Sequence, residues 1–186
     1  MQIRLPATYS DLTLQEIQSL MTCTDPLERV SACSTLSIEE LRKLPKKAIV
    51  VGNEHLDMIA TQEQSNHEKV IDLNGTKYGF IPDWENFTLG EWIDMDQYVN
   101  DFWTNADKIM SILYRPITRS YKDTYEIKDY TAKEDLTDIR QMPATLIGGA
   151  ILFFLNTEKR LRTGLEASLV GIVKGATSRI DGDGTV

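Results

Sequence analysis

The sequence predicts an α+β fold, mainly helical, with a small antiparallel sheet that contains a β-hairpin near residues 69–81. Three observations carry this reading. The runs KVIDL (69–73) and TKYGF (76–80) are β-favouring and flank Asn74 and Gly75, the strongest short-range signal for a two-residue type I′ turn. Apolar residues recur at steps of three and four along much of the remaining chain, the period of a helix with one buried face. At 186 residues and 41% hydrophobic content, the chain is long enough to bury a sizeable core.

The elements follow in order. Ile3 and Leu5 precede Pro6 and give an extended start, a strand over 2–5. Ser10 or Asp11 then caps a helix whose apolar positions Leu14, Ile17, Leu20 and Met21 share one face. Asp25 and Pro26 open the next helix, because proline in the first turn loses no hydrogen bond. Ser37 with Glu40 three residues on is a capping box, and that helix stops before Pro45. Ile49, Val50, Leu56 and Ile59 predict a further helix that Gly52 and Asn53 weaken, with a polar exit over 61–68.

After the hairpin, Met95, Tyr98, Val99, Phe102, Ala106, Ile109, Met110 and Leu113 predict one amphipathic helix of nearly five turns, ended by Pro116. Tyr125 and Ile127 mark an edge strand over 125–128. A short helix lies between Thr131 and Gln141, and Pro143 restarts a long one through Ile151, Phe154, Leu155, Leu161, Leu165, Leu169 and Ile172. Gly148, Gly149, Gly164, Gly171 and Gly175 interrupt its propensity. We read residues 1–178 as one compact domain, with sub-parts 1–78 and 79–178, and 179–186 as a polar, glycine-rich flexible tail.

The segment LPATYSDLTLQE (5–16) echoes IPDWENFTLGE (81–91): each reads strand, proline, polar turn, then a helix starting Thr-Leu-x-Glu. As a duplication this would set two equivalent strand-to-helix connections side by side in one sheet; as coincidence it reflects how common a capped helix after proline is.

Charge is unevenly spread. The net charge of −8 divides into −3 over 1–78 (8 basic, 11 acidic), −6 over 79–142 (7 and 13) and +1 over 143–186 (5 and 4). From Asp83 to Asp107 there are seven acids (Asp83, Glu85, Glu91, Asp94, Asp96, Asp101, Asp107), no Lys or Arg, and all three tryptophans, Trp84, Trp92 and Trp103. Aromatic bulk interleaved with negative charge suits a protein partner and disfavours a nucleic-acid backbone or an anionic membrane. The start MQIRLP shows no signal peptide, and the apolar core over 144–155 is shorter than the roughly 20 residues a spanning helix needs.

Sites of chemistry are sparse. Cys23 and Cys33, ten apart and without nearby His or CxxC spacing, read as reduced thiols. His55 and His67 match neither HExxH nor zinc-finger spacing. Asp94 with Asp96 has carboxylates for a divalent metal, but acids near a helix N-terminus are explained by the helix dipole. Asp181 and Asp183 resemble the start of a calcium loop without its closing glutamate. GxSxG, GxxxxGK[ST] and GxGxxG are absent from the sequence. The reading carries no catalytic, cofactor or metal residue. The interface candidates are Asp83, Trp84 and Glu85, an aromatic anchor between two acids, together with the basic Lys108, Arg115 and Arg119. These three, with Lys122 and Lys128, are read as exposed. Acidic and basic patches so juxtaposed suit head-to-tail self-association. Trp92 and Trp103 are read as core anchors.

The same residues carry a family likeness. YGFIPDWENFTLGEWIDMDQYVNDFWTNADKIMSILYRPI, continued by YEIKDYTAKED and MPATLIGGAILFFLN, resembles a family of small proteins encoded among the structural and assembly genes of tailed bacteriophages, including the crAss-like phages. LPATYSDLTLQEIQSLM with DPLERVSACSTLSIEELRKLP is similar to the amino-terminal part of that family, so the likeness spans about residues 3–160. GFIPD, TLGEWID and ILYRPI are its most specific motifs in combination. The resemblance implies a non-enzymatic virion component of the tail, head–tail joint or capsid, located in the particle and, during assembly, in the host cytoplasm. Its partners would be copies of itself or other virion proteins. A transient tail-assembly chaperone is the alternative, and a carboxylate-dependent enzyme the remote one.

Overall fold

The protein is described by a computed structural model over residues 3–62, 65–82, 87–122, 124–132 and 135–155. It divides into two compact units, Met1–Ala150 and Ile151–Val186, where the sequence predicts one domain through 178. Of the second unit, residues 151–155 are described and are helical. The rest of the predicted long helix, Leu161 through Ile172, and the tail lie outside the described residues.

The first unit is an α+β fold with a four-stranded antiparallel sheet in the order β1-β2-β3-β4: β1 Val70–Leu73, β2 Thr76–Phe80, β3 Tyr114–Tyr121, β4 Thr124–Ile127. A 3-10 turn at Tyr9–Asp11 leads to α1 (Leu14–Thr22), α2 (Pro26–Ala32), α3 (Ile38–Leu41) and α4 (Lys46–Ala60). Between β2 and β3 come α5 (Leu89–Val99) and α6 (Ala106–Leu113); α7 is Thr137–Arg140, and residues 145–150 are again helical.

Local signals fix the helix starts. Asp25 accepts from the N–H groups of Leu27 and Glu28, with Pro26 in the first turn of α2. Ser37 and Glu40 form the expected capping box on α3. The cap of α1 is Thr13, not Ser10 or Asp11: Thr13 N–H donates to Glu16 Oε2 at 2.7 Å, and Glu16 N–H returns to Thr13 Oγ1 at 3.3 Å. Asp11 instead closes the capping box of the preceding 3-10 turn, whose cap is Thr8, by accepting from Thr8 N–H at 2.9 Å.

The hairpin is as predicted. Asn74 (φ 52°) and Gly75 (φ 81°) are both left-handed, as a type I′ turn requires, and Ile71 faces Tyr78 across β1 and β2. The edge strand β4 also forms where Tyr125 and Ile127 mark it.

Three elements depart from expectation. The strand over 2–5 is absent among the described residues 3–5; the N-terminal region instead makes a single antiparallel bridge, Thr13 to Pro143, closed by Leu14 N–H to Met142 O at 2.7 Å and Ala144 N–H to Leu12 O at 2.8 Å. The helix over 95–113 is two helices. Asn100 and Asn105 turn their side-chain amides onto the carbonyls of Asp96 and Asp101, and these residues of low helix propensity occupy the break. The apolar spacing runs on across the gap, so the sequence pattern conceals it.

The third is β3, which follows α6 without a loop: Tyr114 takes extended angles directly after Leu113. Pro116 ends no element here; it lies inside a central strand. It is tolerated because β3 pairs with β2 only through Tyr114, Arg115 and Pro116 and with β4 from Ile117 onward. Proline stands where the pairing changes partner, and its carbonyl still accepts from Lys128 N–H at 2.8 Å.

The core sits where α1 packs on α4 and α6, and α6 meets β3 of the sheet. Leu14, Ile17, Leu41, Leu56, Ile59, Met95 and most of α6 are fully buried. Tyr114 is buried beside Phe80 and its hydroxyl donates to Glu68 O at 2.6 Å; burial raises its pKa well above the usual phenol range. Gly149 lies so close to the 65–68 segment that a Cβ there would fall 1.9 Å from Asn66 O, while Asn66 N–H donates to Thr145 O at 2.8 Å. Among the described residues no helix is long and apolar enough to cross a membrane.

Candidate interaction surface

The acidic segment is rebuilt by folding. Its helix α5 starts at a second capping box, Thr88 with Glu91: Thr88 N–H donates to Glu91 Oε2 at 2.6 Å and Thr88 Oγ1 donates to the same oxygen at 2.7 Å. The echo between 5–16 and 81–91 is thus a shared capping chemistry, which Ser37 and Glu40 also use. The first copy enters no sheet strand, so the two do not form equivalent neighbours in one sheet.

Glu91 has a second role. Its Oε1 lies 2.7 Å from Arg115 Nη1, with side-chain exposures of 2% for Glu91 and 10% for Arg115. Arg115 is therefore no surface cation; it faces inward because β3 pairs it with Gly79 and directs its side chain toward α5. The contact is close enough for an ion pair, although neither Glu91 Oε1 nor Arg115 Nε gains a well-aligned hydrogen bond. Gly79 also leaves room for Tyr125: a Cβ at Gly79 would meet the Tyr125 ring at 2.4 Å, and the Tyr125 hydroxyl reaches Phe80 O at 2.6 Å and Lys69 O at 3.0 Å. A pocket of about 360 Å³ lies over this region, with Glu91, Arg115, Tyr125 and Tyr130 on its wall.

Other acids are consumed in the same way. Asp107 is buried, accepts from Arg140 Nε at 2.9 Å and from Lys108 N–H at 2.9 Å, and ties α6 to α7. Asp94 accepts from the Tyr130 hydroxyl at 2.8 Å, and burial with that carboxylate raises the Tyr130 pKa well above the usual phenol range. Of the seven acids, Asp96 and Asp101 remain fully exposed among the described residues. Asp83, Trp84 and Glu85 lie outside the described residues.

The other candidates separate. Lys108 is exposed but folded back, its Nζ 3.0 Å from Asn105 Oδ1 and 5.1 Å from the Tyr98 ring centroid. Arg119 is exposed on β3, 3.8 Å from Glu126, a distance at which a surface pair contributes little. Trp92 and Trp103 are half-buried rather than core, each in an edge-on contact, with Phe87 at 5.1 Å and Phe102 at 5.0 Å.

Folding also creates a surface that the acid count does not reveal. The inward face of α5 carries Glu91 and Met95, and this leaves Leu89 76% and Ile93 57% exposed, one turn apart on the outer face. Asp96 shares this face and stands exposed, and Asp101 stands exposed just past the end of the helix.

A second surface lies on α4, where Ile3, Leu5, Leu44, Val51, Gly52 and His55 line an open, mainly apolar groove of about 690 Å³. His55 Nε2–H donates to Pro6 O at 2.7 Å and holds the extended N-terminal segment along it. Lys47 is part of the groove wall, and the exposed Arg42, Lys43 and Lys46 precede it in the chain, with no acid between residues 41 and 53. The sequence signal was present, four cations in six residues, but a tally over 1–78 hides it within a net negative region. Comparison with protein-family models, curated proteins and solved structures finds no match.

Proposed function

We propose that this chain is a non-enzymatic assembly protein of a tailed bacteriophage, acting in the virion by binding copies of itself or neighbouring virion proteins. The exposed Leu89 and Ile93 ridge on α5, in a stretch of chain that holds acids and no Lys or Arg from 87 to 107, carries the reading. Large apolar side chains clustered on one exposed helix face mark a surface that a protein partner covers. The resemblance of residues 3–160 to phage structural and assembly proteins supplies the setting.

On the wall of the 360 Å³ pocket, Glu91 is engaged by its capping box and by Arg115, and the Tyr130 hydroxyl donates to Asp94, which supports a structural role for these groups. Mass spectrometry of purified particles of the encoding phage tests the proposal. Stoichiometric presence supports a virion component; presence in infected cells with absence from particles assigns the chain to a transient assembly chaperone instead.

A further inference from the structure

We propose that the protein associates head to tail, the α5 ridge of one copy seating in the α4 groove of the next. The inference rests on the assembly reading and names the partner as a second copy of this chain.

The two surfaces complement each other in form and charge. The ridge presents Leu89 and Ile93 at the i, i+4 spacing that an apolar groove receives from a docked helix. The groove offers Leu5, Leu44 and Val51 as its apolar wall. The ridge's own stretch, residues 87–107, contains no Lys or Arg, and Asp96 and Asp101 stand exposed. On the groove, Lys47 is part of the wall, and the exposed Arg42, Lys43 and Lys46 precede it in the chain with no acid among them. Apolar contact supplies the attraction at the centre, while opposite charges at the rim set register and speed encounter.

Among the described residues neither surface is covered within one copy. α4 packs on α1 and α2, α5 packs on α6, and the ridge and groove stay open. Because the two surfaces differ, the contact is heterologous: each copy has one ridge and one groove, so association continues to a ring or filament rather than stopping at a two-fold dimer.

The test is sedimentation velocity on the full chain from about 1 to about 100 µM, the range that separates weak from stable association. The wild type is expected to grow in mass with concentration. Ile93→Asp, on the ridge, and Lys46→Glu with Lys47→Glu, at the groove, are each expected to weaken association at least about tenfold. Both leave buried residues untouched, and unchanged circular dichroism and melting confirm folding. Each folded variant retains one intact surface, so mixing the two is expected to give a one-to-one complex that stops at two copies.

A wild type that stays monomeric, variants that associate as it does, or a mixture that stays monomeric each overturn the inference. Wild-type chain that binds phosphatidylglycerol vesicles through Lys46 and Lys47 while self-association survives their reversal overturns it as well. The particle analysis is separate. A chain found in virions but monomeric in solution ends this inference and leaves the assembly reading standing.

Discussion

Arg115 and Glu91 form a buried ion pair between the central strand β3 and the first turn of α5, 2.7 Å apart. Each group reaches its partner only because the chain brings residues 24 positions apart together. The carboxylate also closes the capping box of α5, so one side chain fixes both the start of the helix and its seat on the sheet.

Removing one partner leaves the other charge uncompensated in a water-poor site. Arg115→Met is therefore expected to destabilise the protein by about 3–5 kcal/mol, whereas Arg119→Met, on an exposed pair, is expected to cost less than about 0.5 kcal/mol. Urea denaturation of both variants checks this. Equal midpoints would contradict the structural role assigned to the pair.

Glycine positions offer a graded test. A Cβ at Gly79 meets the Tyr125 ring, a side chain able to rotate away at the loss of its hydroxyl contacts with Phe80 and Lys69. At Gly149 it meets the backbone carbonyl of Asn66, which has far less freedom to retreat. Gly79→Ala is expected to cost about 1–3 kcal/mol and Gly149→Ala more. Thermal melting of the two variants gives the order, and a reversed order would contradict it.

The thiols differ in access. Burial, reinforced by the Glu16 charge, pushes the Cys33 thiol up to about 12, and a thiol held protonated near neutral pH is a poor nucleophile. Cys23, half exposed, is raised by its hydrogen bond to Glu28. Alkylation of the native protein near neutral pH is expected to modify Cys23 slowly and Cys33 only on unfolding. Peptide mapping after timed labelling reads both, and rapid native labelling of Cys33 would refute the burial argument.

Acid sensitivity follows from the caps. Hydrogen bonds from Thr8 hold Asp11 below the usual carboxylate range, those from Ser37 hold Glu40 below it, and those from Thr137 hold Asp135 below it. A carboxylate depressed on folding adds stability that is present above its unfolded pKa, about 4, and is lost as pH falls through the folded value. The melting temperature is expected to fall as pH drops below about 4, and Asp11→Asn with Glu40→Gln to flatten that fall. Asp11 and Asp135 are exposed and Glu40 is partly so, so the effect is modest. A melting curve whose pH dependence is the same in that double variant would refute the assignment.

Several local signals were legible from one residue and its near neighbours, although the sequence reading puts the start of α1 two or three residues before its Thr13 and Glu16 box. Asp25 before Pro26, Ser37 with Glu40, and Asn74 with Gly75 each form the structure their local chemistry demands. The strand β3 was not legible, because Pro116 reads locally as a terminator, and only the handover of pairing from β2 to β4 makes it tolerable inside a sheet. The break between α5 and α6 was hidden by apolar residues that keep helical spacing on both sides of Asn100 to Asn105.

The interface candidates divide along the same line. By itself the sequence determined the fold class, the hairpin and the starts of α2 and α3, since hydrogen bonds among neighbours in the chain decide them. It also fixed how many acids and bases the chain carries. Which of them face solvent was decided by tertiary structure alone. Glu91 and Asp107 are spent on Arg115 and Arg140, Arg115 is lost from the surface, and Leu89 and Ile93 are gained by it. The physical reason is that burial is set by the packing of residues distant in sequence, and a linear count of charge does not record which charges meet.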